Sequence, residues 1–91
     1  SIDENLFANN PLLSNVGYAF YNNHLTAIPD GLLTLENNPN VSTLTGTFRG
    51  CTFATGLAPE LWVRYPAASS ALCFENCTGL SNYADIPVGW K

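Results

Sequence analysis

The sequence predicts an α/β repeat solenoid of about three units, built from short strands with short helical or irregular connections. Three observations predict this fold class. Residues 37–48 align with residues 9–20, and both segments share Asn-Asn-Pro, a Ser and a final Phe. Residues 74–78 repeat the Phe-x-x-Cys-Thr pattern of residues 48–52. A Pro precedes a large apolar residue by three positions at 29, 59 and 87. A period of 20–50 residues indicates stacked units that bury apolar edges against their neighbours.

The repeat boundaries follow from these anchors. We place the units at approximately 2–27, 28–57 and 58–85, with a partial unit at 86–91. The segment that begins at Ile2 matches the one that begins at Ile28, with Asp3 in the position of Pro29. Neither end shows the polar cap that terminal repeats normally carry. We therefore expect residues 1–91 to be a single fragment of a longer repeat array.

The elements within a unit are predicted to be brief. The expected strands are short β-branched runs between turn residues, at 25–28 and 41–44. The expected helical turns lie at 6–9, 32–36 and 61–65. Three acidic residues lie at the expected helix starts: Glu4, Asp30 and Glu60. We interpret them as favourable charges at helix N-termini rather than as a cation-binding row.

The invariant aromatic of every unit predicts the core. Phe20, Phe48 and Phe74 hold the same repeat position. We expect their rings to stack as a buried column.

The cysteines allow two interpretations. Cys51 and Cys77 are equivalent in the repeat, and Asn23 holds the same position one unit earlier. A disulfide between neighbouring coils is one alternative. The shared position with Asn favours the other, a buried ladder in which Asn23 and the two reduced thiols line up at one corner and satisfy turn backbone. Cys73 has no partner in either case, and the lone His24 does not complete a zinc site. We interpret His24, which lies beside the Phe corner, as a surface or turn residue.

Composition limits the possible partners. The 91 residues carry a net charge of −4 with only three basic residues, which argues against nucleic acid and anionic membranes. Charged residues make up 11%, against about 25% in ordinary domains. No apolar run approaches the roughly 20 residues of a membrane span.

The repeated motifs resemble the BspA-like leucine-rich repeats of bacterial surface proteins. The resemblance rests on Phe-Tyr-Asn-Asn-His-Leu-Thr-Ala-Ile-Pro-Asp-Gly-Leu-Leu at 20–33 and on residues 40–51, and it extends over essentially the whole chain. It implies a leucine-rich-repeat-like, right-handed coil at the bacterial cell surface or outside the cell. It also implies attachment to host proteins or to other cells. Trp62 and Trp90 depart from the usual Leu, and residues 64–72 lack the Asn-Asn-Pro turn.

No residue is predicted to be catalytic, cofactor-binding or metal-binding, because unlike chemical groups show no sign of converging on one point. Asn40 and Asn76 match the glycosylation pattern, which we interpret as a consequence of Asn-rich turns. The aromatic candidates for a contact surface are Tyr18, Tyr21, Trp62, Tyr65, Tyr83 and Trp90. We expect both Trp residues to lie in the core instead, and at least one of Tyr18 and Tyr21 to face solvent.

The predicted function is therefore a non-enzymatic repeat module of a bacterial cell-surface or secreted protein, which mediates adhesion or protein–protein recognition. Its expected partners are host or neighbouring-cell proteins. Two alternatives stay open: a structural spacer within a larger surface protein, and a carbohydrate-binding module that uses exposed aromatics.

Overall fold

The computed structural model describes residues 2–91, and regular secondary structure is scarce over that range. The α-helix α1 spans Leu61–Arg64, and two 3-10 helices span Tyr83–Asp85 and Val88–Trp90. Strand pairing between these residues is limited to isolated parallel bridges, Asn15–Thr43, Thr43–Ser69 and Gly56–Leu80. The molecule measures 30 × 26 × 19 Å.

The predicted α/β solenoid of short strands is therefore wrong. The described part of the chain forms no β-sheet, and the strand expected at 25–28 is absent. Of the strand expected at 41–44, only Thr43 pairs, in isolated bridges. The helical segments expected at 6–9 and 32–36 are turns and bends. The helix expected at 61–65 is confirmed as α1.

Consecutive β-turns replace the strands. In the first repeat, the N–H of Ala19 donates to the C=O of Val16, that of Tyr21 to Tyr18, and that of Asn23 to Phe20. Equivalent turns follow one another in the second and third repeats. We call residues 15–23, 43–51 and 69–77 the three rungs of a turn ladder.

The remaining N–H groups join one rung to the next. Val16, Tyr18, Phe20 and Asn22 donate to the carbonyls of Thr43, Thr45, Thr47 and Arg49, at 2.8–3.0 Å. Leu44, Gly46, Phe48 and Gly50 donate in the same way to Ser69, Ala71, Cys73 and Glu75. Alternate N–H groups thus close turns within a rung or bond to the next rung. This division explains the missing strands, since a sheet strand has no local turn bonds.

Two positions in every rung have left-handed backbone. They lie two residues before and two residues after the Phe, with φ between 53° and 79°. The residues are Tyr18, Gly46 and Leu72 before it, and Asn22, Gly50 and Asn76 after it. Such φ values are unfavourable for most side chains and suit Gly and Asn. The central rung uses Gly at both positions, because the side chains of Tyr18 and Asn22 pack directly on Gly46 and Gly50.

The predicted Phe column is confirmed. The ring centroids of Phe20 and Phe48 are 5.5 Å apart at 4°, and those of Phe48 and Phe74 are 5.5 Å apart at 15°. Phe48 and Phe74 are fully buried, whereas Phe20 is half-buried at the open end. Trp90 is buried, and the half-buried Trp62 packs its ring edge-to-face on Phe74 at 6.1 Å. Both Trp residues therefore belong to the core, as predicted.

A buried amide explains the Asn-Asn-Pro turn of the second repeat. Asn38 is 1% exposed, and its Nδ2 donates to the carbonyls of Phe7 and Asn10 in the first repeat. Its Oδ1 accepts from the N–H of Thr34, and its carbonyl accepts from the Tyr65 hydroxyl. One side chain thus joins the repeats where their backbones are not paired.

Candidate functional site

The outward side of the turn ladder carries a row of unlike side chains. The residue after each Phe points outward, which places Tyr21, Arg49 and Glu75 on successive rungs. Arg49 Nε donates to Glu75 Oε1 at 2.7 Å. The Arg49 guanidinium carbon also lies 5.8 Å from the centre of the Tyr21 ring. In-register stacking therefore assembles an aromatic, a cation and an anion from residues 54 positions apart in sequence.

Tyr18 extends this row on the first rung. Its ring lies 5.8 Å from that of Tyr21 at 84°, an edge-to-face pair. The two residues are 49% and 48% exposed, so the prediction that at least one faces solvent is confirmed. We call Tyr18, Tyr21, Arg49 and Glu75 the Tyr–Arg strip.

The ion pair fixes the charge and the direction of Arg49. Its hydrogen bond and charge interaction with Glu75 raise the pKa of Arg49 further above its already high value. Only Nε donates to the carboxylate, and the two terminal amino groups bond to no residue between 2 and 91. A guanidinium has five donors in a planar fork. The strip therefore offers an oriented cation with free donors beside two tyrosine rings.

The other predicted aromatics do not join this surface. Tyr65 is buried and donates its hydroxyl to the Asn38 carbonyl at 3.0 Å. Tyr83 is half-buried, and Lys91 Nζ lies 4.7 Å from the centre of its ring. With Trp62 and Trp90 in the core, only Tyr18 and Tyr21 of the six candidates are exposed. Sequence reasoning missed Arg49 and Glu75. The signal for them was their shared position directly after the repeated Phe.

A second exposed aromatic contact lies beside His24. Its ring meets Phe53 edge-to-face at 5.0 Å and 69°, and Phe53 is 58% exposed. The interpretation of His24 as a surface residue is confirmed. It makes no hydrogen bond to any residue that the structure describes, so no Ser or Asp in that range orients it as a general base.

The cysteines form the predicted ladder. All three are free and buried. Cys51 Sγ donates to the carbonyl of Phe20 at 3.1 Å, and Cys77 Sγ donates to that of Phe48 at 3.0 Å. The expected burial of Asn23 is wrong, since it is exposed on the end rung. Desolvation raises the pKa of Cys73 and of Cys77 to about 12, so neither supplies a reactive thiolate.

The acidic residues act differently from the prediction. No helix starts after Asp30, whose carboxylate accepts from Arg64 Nη2 at 2.7 Å. Glu60 precedes α1, but its side chain makes no capping hydrogen bond. Glu4 packs against Gly31. Among the described residues, no group of three or more His, Cys, Asp or Glu side chains could hold a metal ion.

The geometry therefore places an exposed row of Tyr and Arg side chains on a turn ladder, and comparison with known proteins adds no relative. Neither the protein-family models, nor the curated proteins, nor the solved structures that were searched gave a match. Within residues 2–91, no helix has both the length and the apolar character needed to cross a membrane.

Proposed function

We propose that the chain is a non-enzymatic module that recognises a protein partner through the Tyr–Arg strip. The observation that carries this proposal is the exposed Tyr18–Tyr21 pair beside Arg49, which keeps free donors while Glu75 holds its side chain in place. Tyr and Arg are, with Trp, the side chains enriched in binding hot spots. An oriented Arg also binds with less loss of conformational freedom than a free one.

The chemistry of the strip favours a protein over a glycan. A carbohydrate-binding module that uses exposed aromatics would present two coplanar rings in one groove. The two exposed aromatic contacts are instead nearly perpendicular, at 84° for Tyr18–Tyr21 and 69° for His24–Phe53. Free guanidinium donors suit a carboxylate or a backbone carbonyl of a protein. A spacer function would not require such a strip.

We further propose that the parent protein is secreted or held at a bacterial cell surface, where the module binds host or neighbouring-cell proteins. The short motifs shared with BspA-like repeats support this proposal. The strand-built solenoid that those motifs imply forms no part of it. The net charge of −4 makes nucleic acid an unfavourable partner.

The test is a biosensor measurement of the purified chain against extracellular matrix proteins and a glycan array. We expect binding to at least one protein. Tyr21→Ala and Arg49→Ala should each weaken that binding by about 30-fold, the size of a 2 kcal/mol hot spot. Val63→Ala is the matched control, because Val63 is 65% exposed and lies outside the strip.

Three results would contradict the proposal. The first is protein binding that both strip variants leave unchanged. The second is binding to glycans and to no protein. The third is turnover of a substrate that disappears when His24 is replaced. Circular dichroism of each variant separates loss of binding from loss of folding.

A further inference from the structure

The first rung of the turn ladder ends in an edge that only accepts hydrogen bonds. The carbonyls of Asn15, Gly17, Ala19 and Tyr21 accept nothing from the described residues. The N–H groups along this edge are used locally: Gly17 donates to Asn15 Oδ1, Ala19 to the Val16 carbonyl and Tyr21 to the Tyr18 carbonyl. We call this the acceptor edge.

The third rung ends in the opposite way. The N–H groups of Leu72 and Asn76 have no acceptor among residues 2–91, while the carbonyls of Leu72 and Phe74 accept within the rung. The N–H of Phe74 donates to the Trp90 carbonyl at 2.8 Å. This donor edge is therefore covered in its centre by the 3-10 helix Val88–Trp90 and open on both sides.

The two edges match in register. Inside the molecule, the N–H of Tyr18, Phe20 and Asn22 bond to the carbonyls of Thr45, Thr47 and Arg49. By the same rule, Leu72, Phe74 and Asn76 of one copy would bond to Gly17, Ala19 and Tyr21 of another. An ordinary β-strand does not fit the acceptor edge, because it presents carbonyls as well as N–H groups along one side. The carbonyls of such a strand would lie against the carbonyls of the acceptor edge, and neither could donate a hydrogen bond.

The acceptor edge also carries uncovered apolar surface. One face of the Phe20 ring stacks on Phe48, and Phe20 stays half-buried because no ring covers the other face. Leu12 is 84% exposed on the same repeat, beside an open cavity of about 250 Å³ lined by residues 9–13. A second Phe ring on Phe20 would continue the column.

We propose that the acceptor edge binds the donor edge of a second copy of this chain, head to tail, once Val88–Trp90 moves away from Phe74. The Trp90 carbonyl occupies the place that the Ala19 carbonyl of the next copy would take. The C-terminal segment is thus a competitor that limits assembly. A head-to-tail contact leaves both outer edges free, so the product is an open series of oligomers rather than a closed dimer.

Sedimentation velocity of the full chain from 5 to about 500 μM tests this proposal. We expect the mean mass of the wild-type chain to rise with concentration past that of a dimer. Trp90→Ala should move the rise to at least tenfold lower concentration. Adding Leu12→Lys to either background should abolish the rise, whereas Leu35→Lys should not, because Leu35 is 55% exposed on the internal repeat.

The proposal is overturned if the wild-type mass stays at one copy throughout, if it saturates at two copies, or if Leu12→Lys and Leu35→Lys act alike. Amide hydrogen exchange of the wild-type chain gives a second readout, which does not depend on any variant folding. Exchange at Leu72 and Asn76 should slow as concentration rises. Exchange at Glu75, whose N–H is bonded within its rung, should not change. Concentration-independent exchange at Leu72 and Asn76 would also overturn the proposal.

Discussion

Replacing Phe48 with Ala removes the centre of the Phe column. Phe48 is 0% exposed and stacks at 5.5 Å on both Phe20 and Phe74. Phe20, at the open end, has only one ring neighbour and is half-buried. Phe48→Ala and the comparison variant Phe20→Ala therefore remove the same atoms from two positions that differ in burial and in number of ring contacts.

The expected magnitudes follow from that difference. Truncation of a buried Phe to Ala lowers the free energy of unfolding by about 3–5 kcal/mol. Each aromatic pair contributes about 0.5–1.5 kcal/mol beyond burial. Phe48→Ala loses one more pair than Phe20→Ala and more buried area, so it should be the more damaging by about 1 kcal/mol or more. A chain of this length has about 5–14 kcal/mol of stability in total.

Urea denaturation followed by far-UV circular dichroism measures both effects, and equal m values would show that the unfolded states are comparable. The melting temperature of Phe48→Ala should fall by about 12–40 °C. A loss below about 1 kcal/mol for Phe48→Ala would refute the column as the main source of stability. An equal loss of stability for Phe20→Ala and Phe48→Ala would refute the claim that Phe20 lies at an open, less buried end of the column.

Three further predictions test the backbone, the thiols and the half-buried Arg64. Gly50→Ala should lower the free energy of unfolding by about 1–3 kcal/mol, because Gly50 has φ of 79° and lies under the Asn22 side chain. Gly89 has open space around it, so the control Gly89→Ala should change that free energy by less than about 0.5 kcal/mol. Thermal unfolding of both variants measures the difference. The pKa of Cys73 and that of Cys77 are each raised from 9.0 to about 12 in the folded chain, so the protonated thiols are favoured there. Stability should therefore be full below pH 9 and fall between pH 9 and 12. Cys77→Ala should make that fall shallower in urea titrations without removing the part that comes from Cys73. Arg64→Met should lower stability by about 1–3 kcal/mol, because the Arg64 side chain donates to two backbone carbonyls. Asp30→Asn removes only an exposed ion pair and should cost under about 1 kcal/mol. A larger loss for Asp30→Asn than for Arg64→Met would contradict this ranking.

The repeat register was predictable from sequence because identity at spaced positions reports stacking directly. Phe20, Phe48 and Phe74 are identical, and a shared position in a stacked array places side chains above one another. The equivalence of Cys51 and Cys77 predicted their thiol ladder for the same reason. These inferences needed the order of the repeats and no knowledge of their backbone.

The backbone was not predictable by the same route. A short β-branched run such as residues 41–44 favours a strand when propensity is the only guide. The rungs instead bend at left-handed positions, and at two of these the residues are Tyr18 and Leu72. Neither residue signals positive φ, because such backbone is unfavourable for large side chains. The Tyr18 ring packs on Gly46 of the neighbouring rung, and that stabilisation comes from a tertiary contact rather than local sequence.

The candidate site was half predictable. At least one of Tyr18 and Tyr21 was expected at the surface because the two residues flank a core Phe. Arg49 and Glu75 carry no motif of their own, and their 2.7 Å contact depends on the register of two rungs. Trp62 and Trp90 were expected in the core and lie there, whereas Tyr65 and Tyr83 are covered because apolar burial competes with exposure for every Tyr.

The hydrogen bonding of the ladder also explains why recognition can reside in the position after Phe. Each rung is held by backbone bonds within its turns and between rungs, and by the inward Phe, so the outward side chain contributes little to holding the turn. The three inward residues are identical, whereas the outward ones are Tyr21, Arg49 and Glu75. A scaffold with a constant interior and a free outward position can change its surface chemistry without changing its fold. If the outward row served folding alone, exchanging Arg49 and Glu75 would keep the ion pair and leave both stability and partner binding unchanged. The Tyr–Arg strip instead requires that the exchange preserve stability and abolish binding, because the cation then lies two rungs away from Tyr21 and an anion takes its place on the adjacent rung.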